Sequence, residues 1–338
     1  MTSVFDNVAA PLKVYLDQEG VLEVAINRPN EIWVEDVDGW RKEELDLPYD
    51  QLDAIATSIA TASIEKLTAS NPLLSASLPT GERVQIVYPP AVEQGTISIT
   101  VRKPADRILS LDELSKGGLF DEFSSTDDSY ESQAIDKKLS QLLKEKKLSE
   151  FLTEAAFHKK NIIVSGATGS GKTTLMKALI QMIPSDERIL TVEDAPELSQ
   201  IKDTHPNRVH MFYSRGGQGL SNVTAKELLE SSLRMKPDRI LLAELRGDET
   251  FYFLRNVNSG HPGSITSVHA ESPEGAFRQL LLYIKDSNAG ASFDERFLKP
   301  MLHNMVDIVV QIKAIPNVGR RITEVYFDPE GKRDFTGA

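Results

Sequence analysis

The run of residues from Gly166 to Thr173 constrains the fold of this chain more than any other feature. It reads Gly-Ala-Thr-Gly-Ser-Gly-Lys-Thr, and it lies between an apolar segment, Ile162–Val164, and a helical pattern, Thr174–Ile180. Glycines at this spacing let backbone N–H groups turn inward around phosphate oxygens, and the N-terminus of the following helix adds positive potential. The run therefore predicts a phosphate-binding loop between a buried strand and a helix.

Each residue type in this loop has an expected role in binding a nucleoside triphosphate. Lys172 is expected to reach the β- and γ-phosphates and to act in catalysis, and the Thr173 hydroxyl is expected to ligate Mg²⁺. The chain contains no Asn-Lys-x-Asp motif for reading guanine, so ATP is favoured over GTP. The predicted nucleotide-binding residues of the loop are Gly166, Ala167, Thr168, Gly169, Ser170, Gly171, Lys172, Thr173 and Thr174.

Three apolar segments downstream of the loop each end in an acidic or histidine side chain. They are Ile189–Val192 before Glu193 and Glu197, Ile240–Ala243 before Glu244, and Ser264–Val268 before His269. Alternation of short apolar segments with helical stretches is typical of a mostly parallel sheet with helices on both faces. Because ligands bind at the carboxyl ends of such strands, we expect these side chains to line the nucleotide site.

The chemistry of these side chains predicts how each would act on a bound nucleotide. Glu244, at the position of a Walker-B carboxylate, is expected to accept a proton from the attacking water. Glu193 and Glu197 are alternative bases, and the predicted Mg²⁺ ligands are Thr173, Glu193 and Glu244. His269 is expected to donate a hydrogen bond to the γ-phosphate and so to sense its presence.

The length and composition of the chain exclude several classes of protein. Its 338 residues predict two domains, and the absence of cysteine excludes disulfides, cysteine-ligated metals and thiol catalysis and fits a reducing cytoplasm. No apolar run approaches the ~18 residues of a membrane span. The net charge is −12, and residues 1–105 contain 8 basic against 16 acidic side chains. That excess of acid disfavours binding to a nucleic-acid backbone.

Changes in pattern divide the chain into two domains and a linker. Residues 1–104 are predicted to form a small α+β domain, residues 105–133 a polar linker, and residues 134–338 the nucleotide-binding domain that holds all the motifs above. Alternating and helical spacings predict the elements of the first domain and the start of the last. They are strands at Val21–Ile26, Glu31–Glu35, Arg83–Val87 and Thr96–Val101, and helices over 50–67 and 134–157.

The motifs, taken in order, resemble a known superfamily. The loop, the acidic segment Glu193–Glu197, the segment Leu242–Gly247 and the segment Thr266–Ala270 are similar to the Walker A, Asp box, Walker B and His box of the secretion ATPases. These ATPases serve type II and type IV secretion, type IV pilus and archaeal flagellar systems. One departure is Ala243, where the superfamily usually has glycine before the glutamate.

Within the superfamily the chain most resembles the traffic ATPase of type IV secretion systems. The segments that carry this resemblance are Ile26–Asn30, Gly81–Val87, Gly95–Lys103, Leu233–Asp238 and Ser259–Gly263. The resemblance implies a PAS-like N-terminal domain, a RecA-like P-loop NTPase domain, and nucleotide bound between them. It also implies that two N-domain arginines approach the nucleotide; the matching positions here are Arg83 and Arg102.

The same resemblance implies an assembly and a place in the cell. The family forms double-ringed homo-hexamers on the cytoplasmic, inner face of the bacterial inner membrane. Such a ring would be held there peripherally, through other secretion-system ATPases and inner-membrane components, and would act on an exported protein or nucleoprotein or on pilus assembly. Which subunit's N-terminal domain covers which ATP site stays open, because the linker varies in the family.

Two other functions fit parts of the sequence. The first is a RecA-like nucleic-acid translocase, which the acidic N-terminal third disfavours. The second is a nucleotide-gated docking scaffold with negligible turnover, which the intact Lys172, Thr173 and Glu244 disfavour. The sequence therefore favours an ATP-hydrolysing motor that converts γ-phosphate loss into domain motion.

Overall fold

The N-terminal part of the chain forms one antiparallel sheet packed by helices. The computed structural model describes residues 10–78, 80–104, 108–121, 130–214 and 221–334. The elements of this part are α1 (Ala10–Leu16), β1 (Glu23–Ile26), β2 (Glu31–Asp36), β3 (Gly39–Glu44), α2 (Tyr49–Ala62), β4 (Leu73–Ser77), β5 (Arg83–Val87) and β6 (Ser98–Arg102). The strands run in the order β3-β2-β1-β6-β5-β4, so that the buried β1 and β6 lie at its centre.

Helix α2 shows why this sequence forms a two-layer domain. Its apolar side chains recur at helical spacing, and Leu52, Ile55 and Ile59 are buried against the sheet. The helix ends at Ala62, five residues earlier than the spacing predicts. Ile64 takes a left-handed φ of 60°, which a helix cannot continue through.

The described residues of the connection to the C-terminal part contain three helices. They are α3 (Leu111–Lys116), α4 (Tyr130–Lys144) and α5 (Leu148–Phe157). The single helix expected over 134–157 is wrong, because Lys146 has a left-handed φ of 59° that separates α4 from α5. Much of the predicted linker over 105–133 lies outside the described residues.

The C-terminal part is an α/β domain whose strands flank the phosphate-binding loop. Its elements are β7 (Ile162–Ser165), α6 (Lys172–Ile180), β8 (Ile189–Glu193), β9 (Arg208–Phe212), α7 (Ala225–Ser232), β10 (Arg239–Leu242), α8 (Glu249–Asn258), β11 (Ile265–Val268), α9 (Pro273–Asp286), α10 (Glu295–Met305), β12 (Ile308–Ile315), β13 (Gly319–Phe327) and α11 (Pro329–Asp334). None of the helices within the described residues is long and apolar enough to cross a bilayer.

Two hydrogen-bonded sheets, β10-β8-β9 and β11-β7-β12-β13, make up this domain. A parallel bridge joins them between Leu245, just beyond the end of β10, and Val268, the last residue of β11. All pairs are parallel except β12–β13, and β7, β8, β10 and β11 are buried along their whole length, as expected when helices cover both faces. The mostly parallel sheet predicted from the sequence is confirmed.

The two domains are joined by backbone as well as side chains. Ala91 and Val92, which follow β5, are buried in the core of the C-terminal domain. Val92 forms an antiparallel bridge with Met211 of β9, and the Phe212 N–H donates to the Ala91 carbonyl at 2.9 Å. The N-terminal domain thus lies along the β9 edge of the C-terminal sheet.

A fully buried arginine holds the two domains together. The Arg188 guanidinium donates to the side-chain oxygens of Asn27 at 2.8 Å and Asn207 at 2.6 Å, and to the Thr100 hydroxyl at 3.3 Å. Its Nε donates to the Met235 carbonyl at 2.9 Å. Burial lowers the pKa of Arg188 to about 10, so it stays charged at neutral pH. Breaking a buried charge away from its partners costs about 3–5 kcal/mol, so this contact fixes the domain arrangement.

Candidate active site

The phosphate-binding loop has a backbone that only glycine fits at its key positions. Gly169 and Gly171 have φ values of 75° and 103°, in the left-handed region. At Gly166 a Cβ would come within 2.5 Å of the Ile312 carbonyl oxygen and of the Ser170 hydroxyl. The loop therefore lies close against β12, and it leads into α6, the helix that the sequence predicts after it.

The Lys172 ammonium lies at the centre of the loop. Its Nζ donates to the carbonyls of Gly166 at 3.0 Å and Ala167 at 3.3 Å, and to His269 Nδ1 at 3.2 Å. Glu244 Oε1 is 3.9 Å away. Burial lowers the pKa of Lys172, and the Glu244 carboxylate partly opposes this shift. A desolvated ammonium in this position has the charge and the reach to bind phosphate oxygens.

Glu244 has one carboxylate oxygen paired and one without a hydrogen-bond donor. Oε2 pairs with Arg246, whose guanidinium also donates to Asp194 at 2.9 Å. Oε1 is buried and accepts no hydrogen bond from a described residue, although His269 Nε2 lies 2.6 Å away and would form an ion pair with it if the imidazole were protonated. A buried carboxylate oxygen that lacks a donor is suited to accept a proton from a water.

Lys172, Glu244, Arg246 and His269, here called the catalytic cluster, come from three separate elements. Lys172 opens α6, Glu244 and Arg246 follow β10, and His269 follows β11. Their meeting at the carboxyl edge of the sheet agrees with the position expected for three of them. The fourth, Arg246, is not distinguished from the other arginines of the chain by residue type alone. The signal for it is its spacing: residues 244 and 246 of an extended segment face the same side.

Glu193 and Glu197 belong to the same loop but have different surroundings. The Glu193 carboxylate is completely buried and accepts backbone N–H groups of Glu197 and Leu198, both at 2.8 Å, and the Thr191 hydroxyl at 2.5 Å. Glu197 instead accepts the Thr173 hydroxyl at 3.0 Å. The structure therefore brings Glu197 to the phosphate-binding loop. The Glu193 carboxylate instead stabilises the backbone of the segment that contains Glu197.

Arg83 and Arg102 lie apart from the catalytic cluster. They are directly paired across β5 and β6, and with Glu23, Arg234 and Lys236 they line a cavity of about 390 Å³ between the two domains, here called the interdomain cleft. Residues 166–173 are all described, and none of them lines this cleft. Neither Arg83 nor Arg102 forms an ion pair with a described residue.

Comparison with known proteins gives consistent results over almost the whole chain. The type II/IV secretion system protein family matches residues 129–317. The type IV secretion system protein VirB11 of Bartonella quintana is 46% identical over 97% of this chain and 94% of its own length. VirB11 of Brucella suis biovar 1 is 42% identical over 96% of this chain and 90% of its own.

A solved structure extends this likeness to the fold. The crystal structure of the VirB11 ATPase from the Brucella suis type IV secretion system, in complex with sulphate, superposes with a TM-score of 0.91 at 40% identity. The match covers 98% of this chain and 100% of that one. These findings confirm the family expected from the order of the motifs. The chain belongs to the type II/IV secretion system protein family, and within it to the ATPases of type IV secretion systems.

Proposed function

We propose that this ATPase is the subunit of a homo-hexameric motor that powers export or pilus assembly by a bacterial type IV secretion system. The observation that carries the proposal is the meeting of Lys172, Glu244 and His269 at the phosphate-binding loop. A scaffold with negligible turnover would not need a buried general base beside the site. Steady-state phosphate release from Mg-ATP tests this, and absence of turnover in the assembled protein would contradict it.

The arrangement of the catalytic cluster supports a stepwise role for its residues. Lys172 leaves the carbonyls of Gly166 and Ala167 to bind the β- and γ-phosphates of ATP. Glu244 Oε1 accepts a proton from the water that attacks the γ-phosphate, while Arg246 orients that carboxylate. His269, between Lys172 and Glu244, is the residue placed to respond when the γ-phosphate leaves.

Thr173 and Glu197 fit an Mg²⁺ ion that arrives with the nucleotide. No cluster of three or more histidine and acidic residues suited to a metal occurs among the described residues, and Mg²⁺ in nucleotide sites is commonly held by one or two side chains plus phosphates. The hydroxyl of Thr173 faces the exposed side of the loop and already contacts Glu197. When bound, Mg²⁺ neutralises charge on the phosphates. We assign Glu193 a positioning role instead.

We further propose that Arg83 and Arg102 act on the nucleotide of a neighbouring subunit. Both are exposed cations on the N-terminal domain that form no ion pair with a described residue, although Glu23 lies opposite Arg102 in register. The interdomain cleft that they line contains none of their own phosphate-binding loop. Arginines supplied across an interface neutralise charge on a transferring phosphoryl group. Closing and opening between subunits would then convert ATP hydrolysis into motion.

Mixing an inactive variant with an impaired one tests whether the site is shared between subunits. Lys172→Ala removes the loop cation, and Arg102→Ala removes the N-domain cation. If the site is shared, a mixed ring contains boundaries at which an intact loop meets an intact Arg102, so mixing restores part of the ATPase activity. If each subunit supplies both groups to itself, the activity of the mixture stays at the average of its two components.

Membrane attachment and partners are proposed only at the level of the family. The ring would be peripheral at the inner face of the inner membrane, bound to other secretion-system ATPases and inner-membrane components, with an exported protein or nucleoprotein as substrate. Light scattering at micromolar concentration, with and without Mg-ATP, tests the hexamer. A monomer under both conditions would count against the motor.

A further inference from the structure

The hairpin formed by β12 and β13 brings an arginine against the phosphate-binding loop. β12 pairs in parallel with β7, the strand that leads into the loop, and β13 lies at the edge beyond it. A Cβ built on Gly171 would lie 2.8 Å from Cδ and 3.2 Å from Nε of Arg320. Arg320, in β13, therefore covers Gly171, and the missing side chain at 171 leaves room for its stem.

The guanidinium of Arg320 carries a charge that no acidic group among the described residues pairs with. The residue is exposed and forms no ion pair with any residue that the structure describes. Its neighbours on the hairpin are engaged differently: Lys313 lies 3.6 Å from Glu324, and Arg321 donates to the Arg320 carbonyl at 2.8 Å. Arg320 is thus a cation beside the loop with room to bind an anion.

The position of Arg320 relative to the catalytic cluster indicates which part of a nucleotide it would meet. Lys172 Nζ, His269 and Glu244 mark the γ-phosphate side, toward β11. The β12–β13 hairpin lies on the other side of β7. Backbone N–H groups of such a loop and the start of its helix bind the α- and β-phosphates. Arg320 is therefore beside the phosphates that ATP and ADP have in common.

We propose that Arg320 is a nucleotide-binding residue that contacts the α- and β-phosphates from the side opposite the catalytic cluster. The inference rests on the phosphate-binding loop being the working ATP site. Because its contact is the same before and after hydrolysis, Arg320 contributes to affinity for both nucleotides and not to the chemical step. Arg320 thus binds ADP and ATP equally, whereas the catalytic cluster contacts the γ-phosphate that only ATP has.

Displacement of a fluorescent ADP analogue from the full chain tests the proposal. Arg320→Ala should weaken binding of ADP and of a non-hydrolysable ATP analogue by the same factor, about tenfold, as expected for loss of one charge-assisted contact near solvent. At saturating Mg-ATP its kcat should stay within about twofold of wild type while KM rises. Arg320→Lys should recover part of the affinity, and affinity of the wild type should fall more steeply with salt than that of Arg320→Ala.

Arg321→Ala is the matched control, since it removes the adjacent arginine of the same strand; it should bind both nucleotides as the wild type does. Unchanged affinity in Arg320→Ala would overturn the proposal, and so would a loss confined to the ATP analogue. A change in the ratio of ADP to GDP affinity would also overturn it, because that result assigns Arg320 to the base. A fully active Lys172→Ala would instead overturn the proposed site itself, and this inference with it.

Discussion

The catalytic cluster and the interdomain cleft are both rich in charge, but they are built in opposite ways. In the cluster, the cations Lys172 and Arg246 are each within 4 Å of the Glu244 carboxylate, so charges are paired inside one domain. In the cleft, Arg83 and Arg102 are directly opposite each other in register, an arrangement that is unfavourable for like charges. The first is a site whose residues are already assembled. The second places two cations side by side, where the proposed function has them meet the nucleotide of a neighbouring subunit.

In the proposed function, the catalytic cluster binds and hydrolyses the nucleotide within one chain, and the two arginines of the cleft act on the nucleotide of a neighbouring subunit. Changes to the cluster should therefore remove turnover outright, and changes to the cleft should lower it without removing the capacity to bind nucleotide.

The largest effect on turnover is expected from Lys172→Ala. It removes the only side-chain ammonium at the centre of the loop, so ATP hydrolysis should be abolished and nucleotide binding weakened. Steady-state phosphate release measures it, and Lys177→Ala, a lysine in the same helix, is the control. Near-wild-type turnover in Lys172→Ala would mean that the loop is not the working site.

Glu244→Gln is expected to give the next largest effect. The amide keeps the shape of the side chain and loses its proton-accepting oxygen, so kcat should fall by about 10²–10⁴-fold. Nucleotide affinity should be retained, since Lys172 and the loop backbone are unchanged. If phosphate release stays normal, Glu197 is the next residue to test as the base.

Arg102→Ala should lower turnover by about tenfold, equivalent to about 1.4 kcal/mol of transition-state stabilisation. Arg102→Lys should recover little, because lysine lacks the planar fork of the guanidinium. Arg41→Ala is the matched control, since Arg41 is an N-domain arginine that pairs with Asp36 and Glu43 of its own domain. Equal activity of Arg102→Ala and Arg41→Ala would remove the cleft from the mechanism.

The smallest effect on turnover is expected from Glu23→Gln, which instead changes how stability depends on pH. Burial raises the pKa of Glu23 from 4.5 to about 7, although the nearby Arg188 opposes this shift. The folded chain therefore holds a proton on Glu23 that the unfolded chain releases, and the contribution of this group to stability decreases as pH rises from about 4.5 to 7.

Above pH 7, Glu23→Gln should be more stable than the wild type by up to about 3 kcal/mol, the equivalent of that shift. Near pH 4.5 the two should be equal. Urea unfolding at several pH values measures the difference, with Glu44→Gln, an exposed glutamate of the same sheet, as the control. A difference that does not vary with pH would mean that Glu23 is charged in the folded state.

The phosphate-binding loop and the residues of the catalytic cluster could largely be predicted from the sequence, because their signals are local. A strand that ends in an acid or histidine puts that side chain at the edge of a parallel sheet, and Glu244 and His269 both lie there. Glu193 follows the same pattern and yet faces inward. The Glu193 side chain turns inward because its carboxylate accepts the backbone N–H groups of Glu197 and Leu198. The spacing of residues along the chain does not predict these hydrogen bonds.

Contacts between residues that are far apart in the sequence could not be predicted from local patterns. Arg320 meets Gly171 only because β12 and β13 return to the P-loop strand, and Arg188 meets Asn27 only because the two domains dock. Short segments without strong alternation, such as β3 and β4, were missed for a related reason. Their strand conformation is stabilised by neighbours in the sheet rather than by their own pattern.

The bridge between Val92 and Met211 has a consequence for the solubility of the C-terminal domain. A strand at the edge of a sheet offers unpaired backbone groups on which another chain can add. In the intact protein, residues 91 and 92 occupy that position beside β9, and their apolar side chains lie in the same core. The N-terminal domain therefore acts as a built-in cover against aggregation. A C-terminal domain prepared alone should self-associate through β9, and this association would interfere with any measurement of its ATPase activity.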